Sequence, residues 1–448
     1  MTAEIAIMNK EAVALAADSA VTLTGTQEGL EGSKIFITAN KIFSLSKYQP
    51  VGVMVYGNAQ FMGIPWETII KIYRDQLGDK SFDTLKEYAL DFISFITEEN
   101  NHLFNQEDQD HNFLLNIKIL YNSIRNNILA DAKDVIRKNN NITDEQRDFI
   151  VSMNINKYYK MILKSKKLGI YTPELYNKIN ESYGGEIKKL KKQAFEKLPL
   201  SSSMSRKLTK IAIELFLRDI FFVDLSGVVF AGFGNKECFP SVVSYIFDCL
   251  VLNNLKHRED LRCDNDSAGI IPFAQQEMVF SFMEGVDPDY QIELDNAFGK
   301  TLNQYSRAIV DKLKINKRNK DSLQKELNDC NAIILQEFKK DLAEHRRKRY
   351  VDPIMKVVRL APKNELADMA EALVSLTSFK RRVSWTEETV AGPIDVAVIS
   401  KGDGFVWIKR KHYFKADLNP QFFANYNKKK REDCFNENEQ KGGSDDSR

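Results

Sequence analysis

The chain has 448 residues, room for about three domains at the usual ~150 residues each. Its 64 Lys and Arg nearly balance 62 Asp and Glu, a formal net charge of +2 that argues against a dedicated nucleic-acid binder. With 43% hydrophobic and 28% charged residues, the composition is that of a soluble globular protein with a large core.

The five cysteines (Cys238, Cys249, Cys263, Cys330, Cys434) are widely spaced and form no CxxC, so neither a disulfide scaffold nor a cysteine zinc site is expected. Five histidines without HExxH or HxxxH spacing speak against a histidine metal centre. The most apolar stretch, 211–233, carries Glu214, Arg218, Asp219 and Asp224 and falls short of a membrane span. Glu4, Lys10 and Glu11 break any leader-like apolar run. A cytoplasmic protein with no membrane partner is expected.

The first 60 residues read as strands. Glu4-Ile5-Ala6-Ile7 alternates, Asn9-Lys10-Glu11 is a turn, and residues 12–17 form a small-residue buried strand. Ile42-Phe43-Ser44-Leu45 and Val51-Gly52-Val53-Met54-Val55-Tyr56 form a second hairpin around Lys47-Tyr48-Gln49-Pro50. From Asn58, Phe61, Ile64, Ile69, Ile70 and Tyr73 recur at helical spacing.

Residues 81–221 change character and read as a helical insertion, in which Thr143-Asp144-Glu145-Gln146 has capping-box form. Within 151–200, 11 Lys and Arg face 4 Asp and Glu. Without interleaved aromatics or a phosphate loop, this is read as a solvated helical surface.

Residues 222–300 return to strands at 227–232 and 242–247, followed by a helix over 275–285. Residues 301–352 are a second charged helical insertion, and 353–415 hold a last helix over 366–379 and a hairpin around Gly402-Asp403-Gly404. The Asn-, Lys- and Gly-rich residues 416–448 read as a disordered tail. Asp264-x-Asp266-x-x-Gly269 lacks the terminal glutamate of a calcium loop. No Walker A or G-x-S-x-G pattern occurs.

One constellation carries chemistry. Removal of Met1 leaves Thr2 with a free α-amine, so a single residue holds a nucleophilic Oγ and a base that titrates near ~8. A turn centred on Lys10 pairs residue i with residue 20 − i, which sets Asp18 opposite Thr2; moving the turn by one residue changes the partner only to Ala17 or Ser19. The second hairpin brings Lys41 opposite residues 55–57. There Asp18 orients its ammonium, and Gly57 offers a backbone N–H for a developing oxyanion.

These residues resemble a known family. Thr2-Ala3-Glu4-Ile5-Ala6-Ile7 and Ala14-Leu15-Ala16-Ala17-Asp18-Ser19 are similar to the start of proteasome β-type subunits and their bacterial relatives. Asn40-Lys41-Ile42-Phe43-Ser44-Leu45 resembles the family's lysine motif, and Gly57-Asn58-Ala59-Gln60 its glycine turn. Residues 391–399 with Gly402-Asp403-Gly404 resemble its last strand pair, and all matched stretches together span under half of the chain. The Asp-to-Lys loop is longer than the family's and contains a second lysine motif at Lys34-Ile35-Phe36; context favours Lys41. The supporting Asp-x-x-Ser-Gly-Gly pattern is absent, with Glu387 as its substitute, and the family's supporting serine has no clear counterpart near Ile271-Pro272-Phe273.

The resemblance implies an α+β fold, a four-layer α/β/β/α sandwich of antiparallel sheets of the N-terminal-nucleophile (Ntn) hydrolase type, enlarged by helical insertions. It implies a threonine peptidase acting on peptide or unfolded-protein substrates, with Thr2, Asp18, Lys41, Gly57 and Glu387 as the site and no metal or organic cofactor. It also implies a homo-oligomer and an ATPase or other protein partner. An amidase acting on a small amide and a silent scaffold are the alternatives.

Overall fold

In the computed structural model the described residues are 3–24, 33–98, 103–221, 225–263, 268–384, 390, 392–421 and 424. The chain divides into two compact units, residues 1–408 and 409–448. In the second, the described part holds a short 3₁₀ turn, Ala416–Leu418. Most of the expected tail lies outside the described residues.

The first unit begins with β1 (Glu4–Met8), β2 (Ala12–Ala17), β3 (Val21–Thr24), β4 (Ser33–Phe36), β5 (Ile42–Ser44) and β6 (Val51–Gly57). The short pair β7 (Gln60–Phe61) and β8 (Ile64–Pro65) leads into α1 (Trp66–Leu77) and α2 (Leu85–Thr97). Four helices follow: α3 (Gln106–Asn139), α4 (Asp144–Lys164), α5 (Pro173–Phe195) and α6 (Ser202–Leu217). Strands return as β9 (Ser226–Gly232), β10 (Ser241–Val251), β11 (Asn254–Cys263) and β12 (Gly269–Pro272). Then come α7 (Glu277–Glu284), α8 (Pro288–Lys312), α9 (Lys317–Arg346), α10 (Asp352–Leu360), α11 (Lys363–Val383), β13 (Asp395–Ser400) and β14 (Gly404–Lys409). The fold is α+β.

Two five-stranded sheets, ordered β12-β1-β2-β13-β14 and β11-β10-β9-β6-β5, carry it; every strand pairing described in them is antiparallel. Their strands obey the period-2 rule, each sending alternate residues to opposite faces. Ala6, Met8, Val13, Leu15, Ala397 and Ile399 of the first sheet meet Met54, Val229, Ala231 and Val242 of the second in one buried cluster. The opposite residues of the second sheet (Val53, Val55, Val228, Phe230) pack with α1 and α2. Those of the first (Ile5, Ile7, Ala14, Val396, Val398) pack with α7, α10 and α11. Both strand faces are therefore apolar, which is why β2 reads as an unbroken small-residue run.

Two expected boundaries move. The helix α2 buries Tyr88, Phe92 and Ile96 in the same cluster as the second sheet, so the inserted helices begin at α3 and not at residue 81. The second helical excursion begins at Pro288, where Asp287 caps α8 by accepting the N–H groups of Asp289 and Tyr290, and not at 301. The capping box at Thr143 and Gln146 forms as the spacing predicts. The helices α3 to α6 bury a core of their own, which also takes in Cys249 and Val251 of β10. Cys238, Cys249 and Cys330 are free thiols. Among the described residues no helix is long and apolar enough to cross a membrane.

Candidate functional site

The site grows from the β1–β2 hairpin. Asn9 Oδ1 accepts the N–H groups of Glu11 and Ala12 at 2.9 and 3.2 Å, and its amide donates to the Val358 and Ala361 carbonyls. This side-chain turn leaves Lys10 and Glu11 as a two-residue loop, so Glu4 pairs with Ala17 and Ile5 with Ala16. Residue i faces 21 − i, a correction of one from the expected register. Asp18 consequently lies across from Ala3: its N–H donates to the Ala3 carbonyl at 3.2 Å. In return the N–H of Ala3, the amide that joins it to residue 2, donates to Asp18 Oδ1 at 3.0 Å. Asp18 Oδ2 accepts the Ala20 N–H at 3.1 Å.

The second hairpin delivers the cation. The N–H of Val55 donates to the Lys41 carbonyl at 2.8 Å, which fixes the lysine just ahead of β5 and opposite β6 as the turn predicts. Its side chain, only 5% exposed, crosses to the first sheet and sets Nζ 2.5 Å from Asp18 Oδ1. The same ammonium stands 3.1 Å from Glu4 Oε1. Lys34 sits in β4, paired with Leu23 in a two-stranded ribbon apart from both main sheets. Lys41 is thus the lysine on Asp18.

Glu4 is the residue that sequence reasoning missed. Read as the polar member of an alternating strand, it points instead into the cluster between the sheets, in step with Ala6 and Met8, and is 1% exposed. The signal was available: a carboxylate in phase with apolar inter-sheet positions requires a buried partner, and Lys41 is that partner. Two carboxylates and one ammonium leave the trio one negative charge in excess. Tyr56, on the facing strand β6, feels it. Burial first, then the charges of Asp260 and Glu4, push its hydroxyl well above the ordinary phenol range, so it stays protonated.

Gly57 closes β6 two residues beyond the Lys41 pairing, with φ +77°. A Cβ there would lie 2.3 Å from the Leu225 carbonyl oxygen, which accepts the Asn58 N–H at 2.9 Å. Only glycine fits this close approach. The chain entering β13 packs on the same corner: Ser19 Oγ donates to the Pro393 carbonyl, and the Ala39 N–H donates to the Ser19 carbonyl at 3.1 Å. The first residue of β13, Asp395, is buried opposite Ala17.

The structure therefore brings Asp18 and Lys41 into contact and sets Gly57 at the end of β6, the strand paired beside Lys41. Thr2 and Glu387 lie outside the described residues, as do Asp264 and Asp266. Among the described residues no cluster of three or more His, Cys, Asp or Glu is arranged to hold a metal ion. No protein-family model matches the chain, and no curated protein matches it in sequence.

Proposed function

We propose that the chain is a proteasome-like Ntn hydrolase: a four-layer α/β/β/α sandwich in which Thr2, freed by removal of Met1, attacks peptide bonds. The observation that carries this reading is the buried Asp18–Lys41 ion pair built onto the amide of residue 3. A carboxylate that holds both the peptide after residue 2 and a lysine ammonium fixes positive charge beside the place where a threonine hydroxyl must lose its proton. The resemblance of the surrounding motifs supplies the reaction type.

In the proposed cycle Thr2 Oγ bonds to the substrate carbonyl carbon and its proton passes to the α-amine. The negative charge on the carbonyl oxygen is met by the Gly57 N–H. The α-ammonium then gives its proton to the departing amine as the C–N bond breaks, leaving an ester on Oγ. Water, deprotonated by the same amine, cleaves the ester and restores the hydroxyl. Lys41 lowers the cost of the oxyanion-like Oγ, and Asp18 holds Lys41 in place. No metal or organic cofactor enters these steps.

The test combines intact-mass measurement of the N-terminus with hydrolysis of a fluorogenic peptide panel. The expected result is loss of Met1, activity in the native chain and partial activity in Thr2→Ser. Loss of at least about 100-fold is expected in Thr2→Ala and in a chain with one extra residue before Thr2, because an amide nitrogen accepts no proton. Full activity in either of the last two would overturn the mechanism. A native chain that retains Met1 and cleaves nothing would favour the silent-scaffold reading.

A further inference from the structure

Two features far apart in sequence are exposed and chemically opposite. Beside the turn that joins α3 to α4 lies a groove of about 460 Å³ with Val135, Phe149 and Met153 along its walls and Asp131, Asp134 and Glu145 at its edges. Phe149 is 68% exposed and Met153 43%, so the groove wall is an apolar surface open to solvent. The second feature is the turn of the α8–α9 hairpin. Those helices run antiparallel for 25 and 30 residues, and among their described residues only Ser306, Val310 and Asn331 are buried. At its tip, residues 312–318 (Lys-Leu-Lys-Ile-Asn-Lys-Arg) carry four cations and no acid, with Leu313 and Ile315 40% and 38% exposed.

We propose that the hairpin tip of one copy docks in the α3–α4 groove of a second copy. Leu313 and Ile315 would enter against Phe149 and Met153, while Lys314 and Lys317 meet Asp134 and Glu145. Both halves of the match are on the page: an apolar floor with three carboxylates at its edge, and two aliphatic side chains framed by four cations. Opposite potentials set the register and speed the encounter. Because groove and tip are different surfaces, the contact is heterologous, and repetition gives a ring or an open filament, not a closed pair. A tip of this size makes a small interface of the weak, reversible class, so association is expected at high protein concentration and low salt. The inference is independent of the hydrolase reading.

Sedimentation velocity of the full chain tests it. The native chain should form species larger than a dimer that shrink on dilution. They should also shrink between about 0.1 M and about 1 M salt, as the Debye length falls from ~10 to ~3 Å. Lys314→Glu with Lys317→Glu, and separately Asp134→Lys with Glu145→Lys, should each raise the concentration needed for association by about tenfold or more. These positions are exposed, and circular dichroism checks that each variant folds. An equimolar mixture of the two should again assemble beyond a dimer by alternation, since the native tip of one variant fits the native groove of the other and the reversed tip fits the reversed groove. Combining all four reversals should restore assembly. A native chain that stays monomeric at low salt, or assembly that survives either variant pair, would overturn the proposal.

Discussion

Lys41 is shared by two carboxylates, one from each side of the β1–β2 hairpin, and all three groups are almost wholly withdrawn from water. Buried charges of this kind contribute little net stability as a set, yet removing one partner is expensive because the others are left uncompensated. Lys41→Met should therefore destabilise the chain by about 3–5 kcal/mol in urea unfolding. Glu4→Gln removes the excess negative charge while keeping the side-chain shape, and should change stability by less than about 1 kcal/mol. The informative measurement is the double variant. Combining Glu4→Gln with Lys41→Met should recover part of the loss, giving a coupling of about 0.5–3 kcal/mol; strict additivity would mean that the two side chains do not interact. The same residues mark how far the site was legible. The local pairing of β1 with β2 placed Asp18 beside the chain start, and the second turn placed Lys41, because hairpins convert sequence spacing directly into proximity. The register was off by one since Asn9 spends its side chain on the turn. Glu4 was hidden because an alternating pattern implies one polar, exposed face, whereas both faces of β1 are buried.

At the scale of single elements, β6 ends where it does because Gly57 takes a left-handed conformation against the Leu225 carbonyl. Gly63, a few residues on, has φ +85° but open space where a Cβ would stand. The pair separates conformational strain from collision. Gly63→Ala should cost about 1–2 kcal/mol, the price of the left-handed backbone alone. Gly57→Ala should cost more, since the Leu225 carbonyl just ahead of β9 must shift, and should lower peptide hydrolysis where Gly63→Ala does not. Denaturant midpoints together with hydrolysis rates check both expectations; equal effects of the two substitutions would contradict the steric account. Small-residue and glycine-marked strands were readable for the same reason. By contrast β11, Asn-Leu-Lys-His-Arg-Glu-Asp-Leu-Arg-Cys, shows too little apolar alternation to announce itself, and it lies at a sheet edge where charge is tolerated. The turn before it places Leu252 and Asn253 at φ +50° and +59°. Gln109 of α3 holds that turn by accepting the Asn253 N–H and donating to its side chain.

For the whole molecule, the inserted helices and the second sheet share a sealed boundary. Lys256 on β11, 2% exposed, pairs with Asp248 on β10 at 2.7 Å beneath α3 and α6. Buried phenols spread across both regions give the molecule a collective response to alkali. Burial raises the hydroxyls of Tyr56, Tyr73, Tyr121 and Tyr183 well above the usual range, and burial with Glu259 pushes Tyr245 up to about 12. In the unfolded chain these groups ionise near ~10, so above that pH the native state holds more protons than the unfolded one. Their contribution is complete below about pH 10 and is lost as pH rises through the native values. Urea midpoints should therefore be flat to about pH 9 and fall above about pH 10, and Tyr121→Phe should make that fall shallower. An unchanged slope in Tyr121→Phe would show that the fall comes from other groups.

The position of β13 has a consequence for how the chain is made. Its pairing with β2 joins Asp395 to Ala17 across most of the polypeptide. During synthesis at about 5–20 residues per second, β2 waits about 20–80 s for that neighbour to be translated. Throughout this interval the β1–β2 hairpin presents an open edge, the arrangement most prone to pairing with a foreign strand. Such distant pairing is also intrinsically slow to form. The edge of β2 beside Asp18 can be covered only after residue 395 has been made, because Asp395 pairs with Ala17 there. The β2 edge that flanks the candidate site is therefore closed only once nearly the entire chain has been read.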